Sequence, residues 1–479
     1  MLVFIVAYAV LLVLIGAVIG RRVKSASEFF VAGRNLNSGM LFTTLIAANL
    51  GAGSTVGVTA LAWQYGISAW WWIGSAGIGS MILAFLVGPK IWKIAREKNF
   101  YTLSDYLDAR YSKIFSGILS LMMSIGTLAL FSGQLLGIAW ILEVAAGIPK
   151  TTGIIIGALV TTLYFSAGGL LSSAIVNIIE VAVILAGFVI ALPFVWNFTG
   201  GFDGIISRVN NPKYFDFFGM GSTAIIGYIV MLVPSFFISP GLIGKIFAAR
   251  DVRAIKIGTS LNGLVQLIFA AIPVLIGMAA FACFPDLSNK DLALPTAMKN
   301  MMPMLIASAA LAAIFAAEVS TADTVLYMLA GALTNDIYKR FFNPKIQDEK
   351  LLSASRIVSV ISGIIGVILA LKLESIISAL TIFYSLMSVS LAAPLIFGLF
   401  TKRASNLGAI FSALGGIAIT LFLTFYESSE RYLNLLVGTL DTKTHSVNFG
   451  FTSLNATTCG IIFAFLVMLI SMIFTKNEK

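Results

Sequence analysis

Long apolar runs alternate with short polar connectors along the whole chain. Each run has roughly 20 residues, the length a helix needs to cross the hydrocarbon core of a bilayer. We number thirteen such runs as spans 1 to 13; they cover residues 2–19, 41–63, 69–87, 114–142, 152–167, 171–196, 224–243, 257–283, 304–333, 357–371, 376–400, 407–425 and 452–474. The pattern predicts an all-α integral membrane protein with thirteen transmembrane helices.

Span 2 carries polar and helix-weakening residues at its centre: Asn49, Gly51, Gly53, Ser54 and Thr55. Each glycine weakens a helix by about 1 kcal/mol, and a backbone group released in hydrocarbon must find a partner inside the protein. We therefore expect this helix to break at mid-membrane, where the freed carbonyls and amides bind a cation and a small solute.

Composition and charge narrow the class of protein. With 59% hydrophobic and 11% charged residues, the chain is not a set of soluble domains. Span 1 ends at Arg21 and Arg22 with no basic residue in front, which is typical of a retained spanning helix rather than a secretory signal. Most of the 31 Lys and Arg residues lie in connectors that are cytoplasmic if the N-terminus is outside. The positive-inside rule then predicts a multi-pass cell-membrane protein with its N-terminus outside and its C-terminus in the cytoplasm.

The same basic connectors, facing an anionic leaflet, explain the net charge of +10, so the expected partner is the lipid bilayer and not nucleic acid. Cys283 and Cys459 are too few for a disulfide framework. The sequence's only histidine, His445, lies in a predicted outer connector. Histidine catalysis and zinc binding inside the membrane are therefore not expected, and neither is an enzyme.

The connector after span 1 reads SASEFFVAGRNL at residues 25–36. It resembles the S-x-x-E-[YF]-F-x-A-G-R-x-L connector of the sodium/solute symporter family, which includes sodium-coupled proline, galactose, sialic acid and pantothenate transporters. Four further motifs of that family follow in order: residues 101–111 (YTLSDYLDARY), 168–170 (GGL), 244–250 (GKIFAAR) and 333–339 (LTNDIYK).

The resemblance implies a leucine-transporter-like fold of two five-helix inverted repeats, spans 2–6 and spans 7–11, with spans 1, 12 and 13 added. The corresponding regions are residues 1–38, 39–200, 222–400 and 401–479. Span 7, the first of the second half, carries Pro234 and Pro240, each of which removes a backbone donor. Broken helices at matching places in two halves indicate a transport site; simple kinks, which membrane helices tolerate, are the alternative.

Span 9 has a polar stripe, because Ala317, Ser320, Thr321 and Thr324 share one helix face. Hydroxyl and carbonyl oxygens suit a hard cation, although such hydroxyls also commonly bond to the preceding turn. The resemblance implies a sodium ion bound by the hydroxyls of Ser320 and Thr321, which stand at the family's spacing before Asp336. By the same match, carbonyls of Ala47, Leu50 and Ala317 complete that site.

Three acids lie within spans: Glu180, Glu318 and Asp323. A charge in hydrocarbon costs about 3 kcal/mol on translocon scales and marks a functional residue by default. At 100° per residue, Asp323 lies about 60° from Ser320 around the helix and Glu318 about 160°, so only Asp323 joins the hydroxyl face. Glu180 and Glu318 pair with polar groups elsewhere or line water.

A second cation site is expected from a difference between this chain and the family's pattern on span 6. Family members with a second sodium site resemble one another in an Asp on span 6, where this chain has Asn177. Asp323 and Thr324 fall where that site takes two serines. We therefore expect Asn177, Ser320, Asp323 and Thr324 to form the site, with the carboxylate moved to span 9, where it completes a second sodium site or takes up a proton.

The substrate specificities known for the family do not carry over to this chain. Leu232 and Phe236 replace the Trp and Tyr of proline carriers, and Ile73 replaces the Glu of galactose carriers. The residues expected to face the substrate are Asn49, Gly51, Gly53, Trp70 and Phe236, although an interfacial belt explains the tryptophans at 70–72 equally well. The prediction is a sodium-coupled symporter importing a small organic acid or amino acid by alternating access. A sugar or sialic-acid-type symporter and a transporter-fold sensor are the alternatives.

Overall fold

The computed structural model describes residues 2–20, 25–425, 439–441, 446–448 and 453–475. Ten helical segments among them are long and apolar enough to cross a membrane, and two shorter apolar helices lie at Leu2–Leu11 and Lys150–Leu163. The chain is therefore a helical, multi-pass membrane protein. Arg21, Arg22 and His445 lie outside the described residues.

The α-helices are numbered in chain order: α1 (Leu2–Gly20), α2 (Ala26–Val31), α3 (Ser38–Asn49), α4 (Val58–Tyr65), α5 (Trp70–Ile82), α6 (Gly88–Lys98), α7 (Leu103–Arg110), α8 (Lys113–Ala146), α9 (Lys150–Thr199), α10 (Gly201–Arg208), α11 (Ser222–Ile238), α12 (Pro240–Phe247), α13 (Val252–Phe269), α14 (Ala271–Cys283), α15 (Ala293–Asn300), α16 (Met304–Ala330), α17 (Asp348–Ala370), α18 (Ile376–Phe400), α19 (Asn406–Phe425) and α20 (Ala456–Phe474). Wider π-helical turns lie at Gly53–Gly57, Leu83–Val87 and Gly331–Phe342, and short 3₁₀ turns at Ala32–Arg34, Gly66–Ala69, Pro212–Phe215 and Lys290–Leu292.

Polar residues at the helix starts and glycines at the ends explain several of these boundaries. The Ser112 hydroxyl accepts a hydrogen bond from the Phe115 amide at the start of α8, and Asp251 caps α13 in the same way at 2.7 Å. Such caps satisfy amide groups that have no partner within the helix. Gly147 and Gly200, both with positive φ, end α8 and α9.

Spans 5 and 6 lie in one helical segment, α9, in which the chain turns sharply at Gly169 (φ 54°, ψ −151°). A Cβ atom at Gly169 would lie 2.4 Å from the Phe29 ring. Only glycine fits this turn, because it needs both a left-handed φ and contact with α2. The predicted boundary at residues 168–170 is therefore a turn within a packed helix pair rather than a polar connector.

Helix α16 forms the centre of the bundle. It is buried along nearly its whole length and packs against α9, α8, α17 and α3. Helices α19 and α20 pair with each other and against α18, whereas α1 packs against α9 and α16. The polar stripe of span 9 is thus at the most buried position in the fold.

The predicted all-α class is confirmed, and the described residues add one small sheet to it. Three short antiparallel strands, β1 (Thr439–Asp441), β2 (Ser446–Asn448) and β3 (Ser453–Asn455), form a small sheet between α19 and α20 in the chain. Their polar three-residue segments carry too little period-two pattern for sequence prediction. Asn455 ends β3 and caps α20 through the Thr458 amide.

Candidate functional site

The predicted break in span 2 is present. Helix α3 ends at Asn49, Leu50 leaves helical geometry (φ −97°, ψ 54°), and the chain becomes helical again at Gly53. The released groups are satisfied internally, as the hydrocarbon environment requires. The Ala52 amide donates to Oε1 of Gln134 on α8 at 2.8 Å, and the Gly51 carbonyl accepts from the Thr55 hydroxyl at 3.0 Å.

Gly51 allows this break to contact α16 directly. A Cβ atom at Gly51 would lie 2.4 Å from Cβ of Thr321 and 2.6 Å from Oε1 of Gln134. Real side chains do not approach so closely, so any larger residue must push the break away from α16 or α8. The glycine predicted to weaken the helix also allows close packing at the site.

The predicted sodium ligands converge at this contact. The Ala47 carbonyl accepts hydrogen bonds from the hydroxyls of Ser320 at 3.2 Å and Thr321 at 2.9 Å. The Ser320 hydroxyl also bonds to the carbonyl of Ala317 at 3.0 Å, and Leu50 precedes the glycine that touches Thr321. All five residues are buried. Carbonyl and hydroxyl oxygens gathered from two helices are the donors that hard cations take, so the residues present fit a sodium ion.

Glu318 supports the break from the other face of α16. Its Oε1 atom accepts a hydrogen bond from the Thr55 hydroxyl at 2.8 Å, and the side chain is fully buried. Gly137 on α8 makes room for it, because a Cβ atom there would lie 2.9 Å from the carboxyl group. Glu318 lies away from the hydroxyl face of α16, as its helical position predicts. The break in span 2 and α8 nevertheless contact α16 on the side where Glu318 lies as well.

The predicted second cation cluster contains an additional residue. Asn177 donates to the Thr44 hydroxyl at 3.0 Å, and the ammonium of Lys245 on α12 donates to the Thr44 carbonyl at 2.6 Å and the Thr324 hydroxyl at 2.9 Å. The carboxyl groups of Asp323 and Glu180 act on Lys245 electrostatically. The predicted span 7 ends at residue 243 and leaves Lys245 in a connector, although Ile246 and Phe247 continue the apolar run.

The two broken helices line one cavity. The second break lies where α11 ends at Ile238 and α12 begins at Pro240. Span 2 lines the cavity with Asn49, Gly51, Gly53 and Ser54. The second broken helix lines it with Ser235, Phe236, Ser239 and Leu242. Helices α8, α16 and α18 complete it, and none of the described side chains that line it is charged. The Phe236 ring stacks on that of Tyr384, with centroids 5.8 Å apart.

Four of the five residues predicted to face the substrate line this cavity, and Trp70 does not. The Trp70 ring packs against Trp71 and Phe217, and its N–H donates to the Leu267 carbonyl at 3.3 Å. Trp72 lies nearer, with its ring 6.1 Å from that of Tyr384. The correction follows from helix rotation, because Trp70 and Trp72 are about 160° apart on α5.

A second cavity lies beside the first. Met328 lines both, and the second is also lined by Thr102, Asp336 and Leu391. At its edge, Arg340 forms a salt bridge with Asp105 on α7 at 2.6 Å. The Asp336 carboxyl accepts a hydrogen bond from the Thr102 hydroxyl at 2.6 Å. These contacts close the fold between α7 and the π-helical segment Gly331–Phe342.

The model of the sodium:solute symporter family matches residues 29–416. The chain belongs to the sodium:solute symporter family. Relatives include the sodium/glucose cotransporter of Vibrio parahaemolyticus, 28% identical over 87% of this chain and 83% of its own length. The sodium/pantothenate symporter of Escherichia coli (strain K12) is 28% identical over 83% of this chain and 84% of its own.

Solved structures agree at the level of fold. A substrate-bound, outward-open Na⁺-coupled sialic acid symporter has a TM-score of 0.78 at 20% identity and covers 100% of this chain and 98% of its own. The nucleobase-cation symporter Mhp1 has a TM-score of 0.60 at 14% identity and covers 94% of this chain and 96% of its own. Family members are transporters, so this member is a membrane transporter and not an enzyme. The family predicted from the connector motifs is confirmed.

Proposed function

We propose that the protein is a sodium-coupled symporter that imports a small organic solute across the cell membrane by alternating access. The observation that carries this proposal is that one residue, Thr321, belongs to two sites. Its hydroxyl belongs to the oxygen cluster that it forms with Ala47, Ala317 and Ser320, and its side chain also lines the uncharged cavity between the two helix breaks.

This shared residue explains coupling. Sodium held by carbonyls of Ala47 and Leu50 on one side and hydroxyls of Ser320 and Thr321 on the other ties the break in span 2 to α16. The same break presents Asn49 and Gly51 to the cavity. The cation therefore stabilises the backbone geometry that the solute meets, so each raises the affinity of the other, as linkage requires.

For alternating access we propose the arrangement implied by the family, with thirteen membrane crossings and two inverted repeats at residues 39–200 and 222–400. Residues 1–38 and 401–479 flank the repeats. The N-terminus lies outside the cell and the C-terminus lies in the cytoplasm. The two breaks support it, because both line one cavity from opposite halves of the chain. In this orientation the Arg340–Asp105 contact lies on the cytoplasmic side and joins the two repeats. Its opening would connect the central cavity, past Met328, to the cytoplasm.

The cavity favours a small solute with one compact polar group. Its described lining has no charged side chain to pair with, so polarity comes from hydroxyls, amides and the broken helix ends. The stacked rings of Phe236 and Tyr384 supply an apolar wall. A small organic acid or amino acid fits this chemistry, because the ends of the broken helices and the bound sodium offset the charge of a carboxylate.

A thermal-shift screen followed by liposome uptake tests the proposal. Purified protein is screened against small organic acids, amino acids and sugars with sodium or potassium, and each stabilising compound is then offered to proteoliposomes. We expect a solute that stabilises only with sodium and accumulates only under an inward sodium gradient. Equal stabilisation and uptake in potassium would refute sodium coupling.

A further inference from the structure

Lys245 is a cation built into the interior of the transporter. It lies on α12, the inner half of the second broken helix, is fully buried, and is among the largest buried side chains of the described structure. A buried ammonium is costly in hydrocarbon unless it is paired and hydrogen-bonded. Its surroundings must therefore compensate a positive charge.

The surroundings do so with both oxygen donors and negative charge. The ammonium donates to the Thr44 carbonyl on α3 at 2.6 Å and to the Thr324 hydroxyl on α16 at 2.9 Å. Short distances are characteristic of charge-assisted hydrogen bonds. Glu180 on α9 and Asp323 on α16, both fully buried, are the two carboxyl groups that act on it electrostatically.

Two of these partners, Asp323 and Thr324, belong to the four-residue set expected to hold a second sodium ion. Asn177, another member of that set, donates to the hydroxyl of the same Thr44 whose carbonyl receives the ammonium. A monovalent ion bound there would contact the Thr324 hydroxyl that Nζ contacts now. The ammonium and a second sodium therefore exclude each other.

We propose that the ammonium of Lys245 takes the place of a second sodium ion, so that the transporter binds and moves one sodium per solute. The proposal rests on the proposed function and specifies its stoichiometry. The tethered cation links α12 to α3 and α16, as sodium would, but it stays with the protein in every cycle. One positive charge fewer then crosses the membrane than in a carrier that uses two sodium ions.

Removing the tethered cation should convert the cluster into a sodium site. Lys245→Ala leaves space beside the Thr44 carbonyl, the Thr324 hydroxyl and the two buried carboxyl groups, where another cation can enter. Lys245→Arg keeps the charge and should bind no additional sodium. Lys256→Ala on α13 removes an equal charge from an exposed position and serves as the matched control.

Equilibrium binding of ²²Na⁺ to the purified protein measures this without knowledge of the solute. We expect one sodium per wild-type, Lys245→Arg and Lys256→Ala protein, two per Lys245→Ala protein, and one again when Asp323→Asn is added to Lys245→Ala. Two sodium ions on the wild type, or one on Lys245→Ala, would overturn the inference and leave sodium symport standing. No sodium on the wild type would instead overturn the proposed function. If Lys245→Ala fails to fold, Lys245→Ser takes its place, and the wild-type count alone still decides against the inference if it is two.

Discussion

Replacing Gly51 by alanine should weaken sodium and solute binding together. The new Cβ atom would lie 2.4 Å from Cβ of Thr321 and 2.6 Å from Oε1 of Gln134. An ordinary contact between carbon atoms is about 3.5–4.0 Å, so the break must move away from α16 by roughly 1 Å. Inserting a methyl group into such a packed site costs about 1–3 kcal/mol.

That cost acts on the geometry which both ligands share. In the proposed site Ala47 and Leu50 offer their carbonyls to the cation, and Asn49 of the same segment lines the cavity. At about 1.4 kcal/mol per factor of ten, sodium affinity and solute affinity should each fall about 5- to 150-fold. Sodium binding and sodium-dependent solute uptake in proteoliposomes measure the two effects.

The matched control is Gly39→Ala in α3, where the atom nearest to the new Cβ atom would be Oδ1 of Asn37 at 3.5 Å, an ordinary contact. It should leave both affinities unchanged. Solute binding that falls in Gly51→Ala while sodium binding stays intact would show that the glycine only clears space for the solute, and the shared-geometry argument would fail.

Three further predictions follow from the contacts around the site. Glu318→Ala should lower sodium affinity, because a buried hydrogen bond worth about 0.5–1.5 kcal/mol that holds the break is lost; unchanged affinity would limit Glu318 to a packing role. Arg340→Gln should loosen the closure at α7 and increase labelling of Met328→Cys by a cytoplasmic thiol reagent in a background without the two native cysteines; equal labelling would place the gate elsewhere. Phe236→Ala should raise the solute KM by about tenfold through lost aromatic contact, whereas Trp70→Ala should not, and the opposite order would restore the tryptophan as a substrate contact.

The parts of the site that sequence could predict were local. The break at Gly51 and Gly53 follows from helix propensity alone, and the stripe of Ser320, Thr321 and Thr324 follows from 3.6-residue periodicity. Both depend only on neighbouring residues within one helix. Family motifs then supplied the pairing of these two elements, which the Ala47 contacts agree with.

The parts that sequence missed depend on tertiary packing. Gln134 and Glu318 support the break from α8 and from the far face of α16, and no local pattern indicates which polar residue of a span will meet another helix. Trp70 and Trp72 differ only by their rotation on α5, which neighbouring helices set. Lys245 was missed for a simpler reason: a basic residue at the end of an apolar run was assigned to a connector, although a lysine followed by Ile and Phe can remain within the helix.

In the proposed mechanism, sodium bound by the hydroxyls of α16 and the carbonyls of the break drives uptake. The most direct measurement compares sodium-gradient-driven uptake by wild-type protein and by the double variant Ser320→Ala, Thr321→Ala, which removes two oxygen donors and keeps a strong helix former at both positions. The account predicts that the wild type accumulates solute with an inward sodium gradient and that the double variant, folded and inserted to the same extent, loses this dependence. A double variant with the sodium dependence of the wild type would contradict the account.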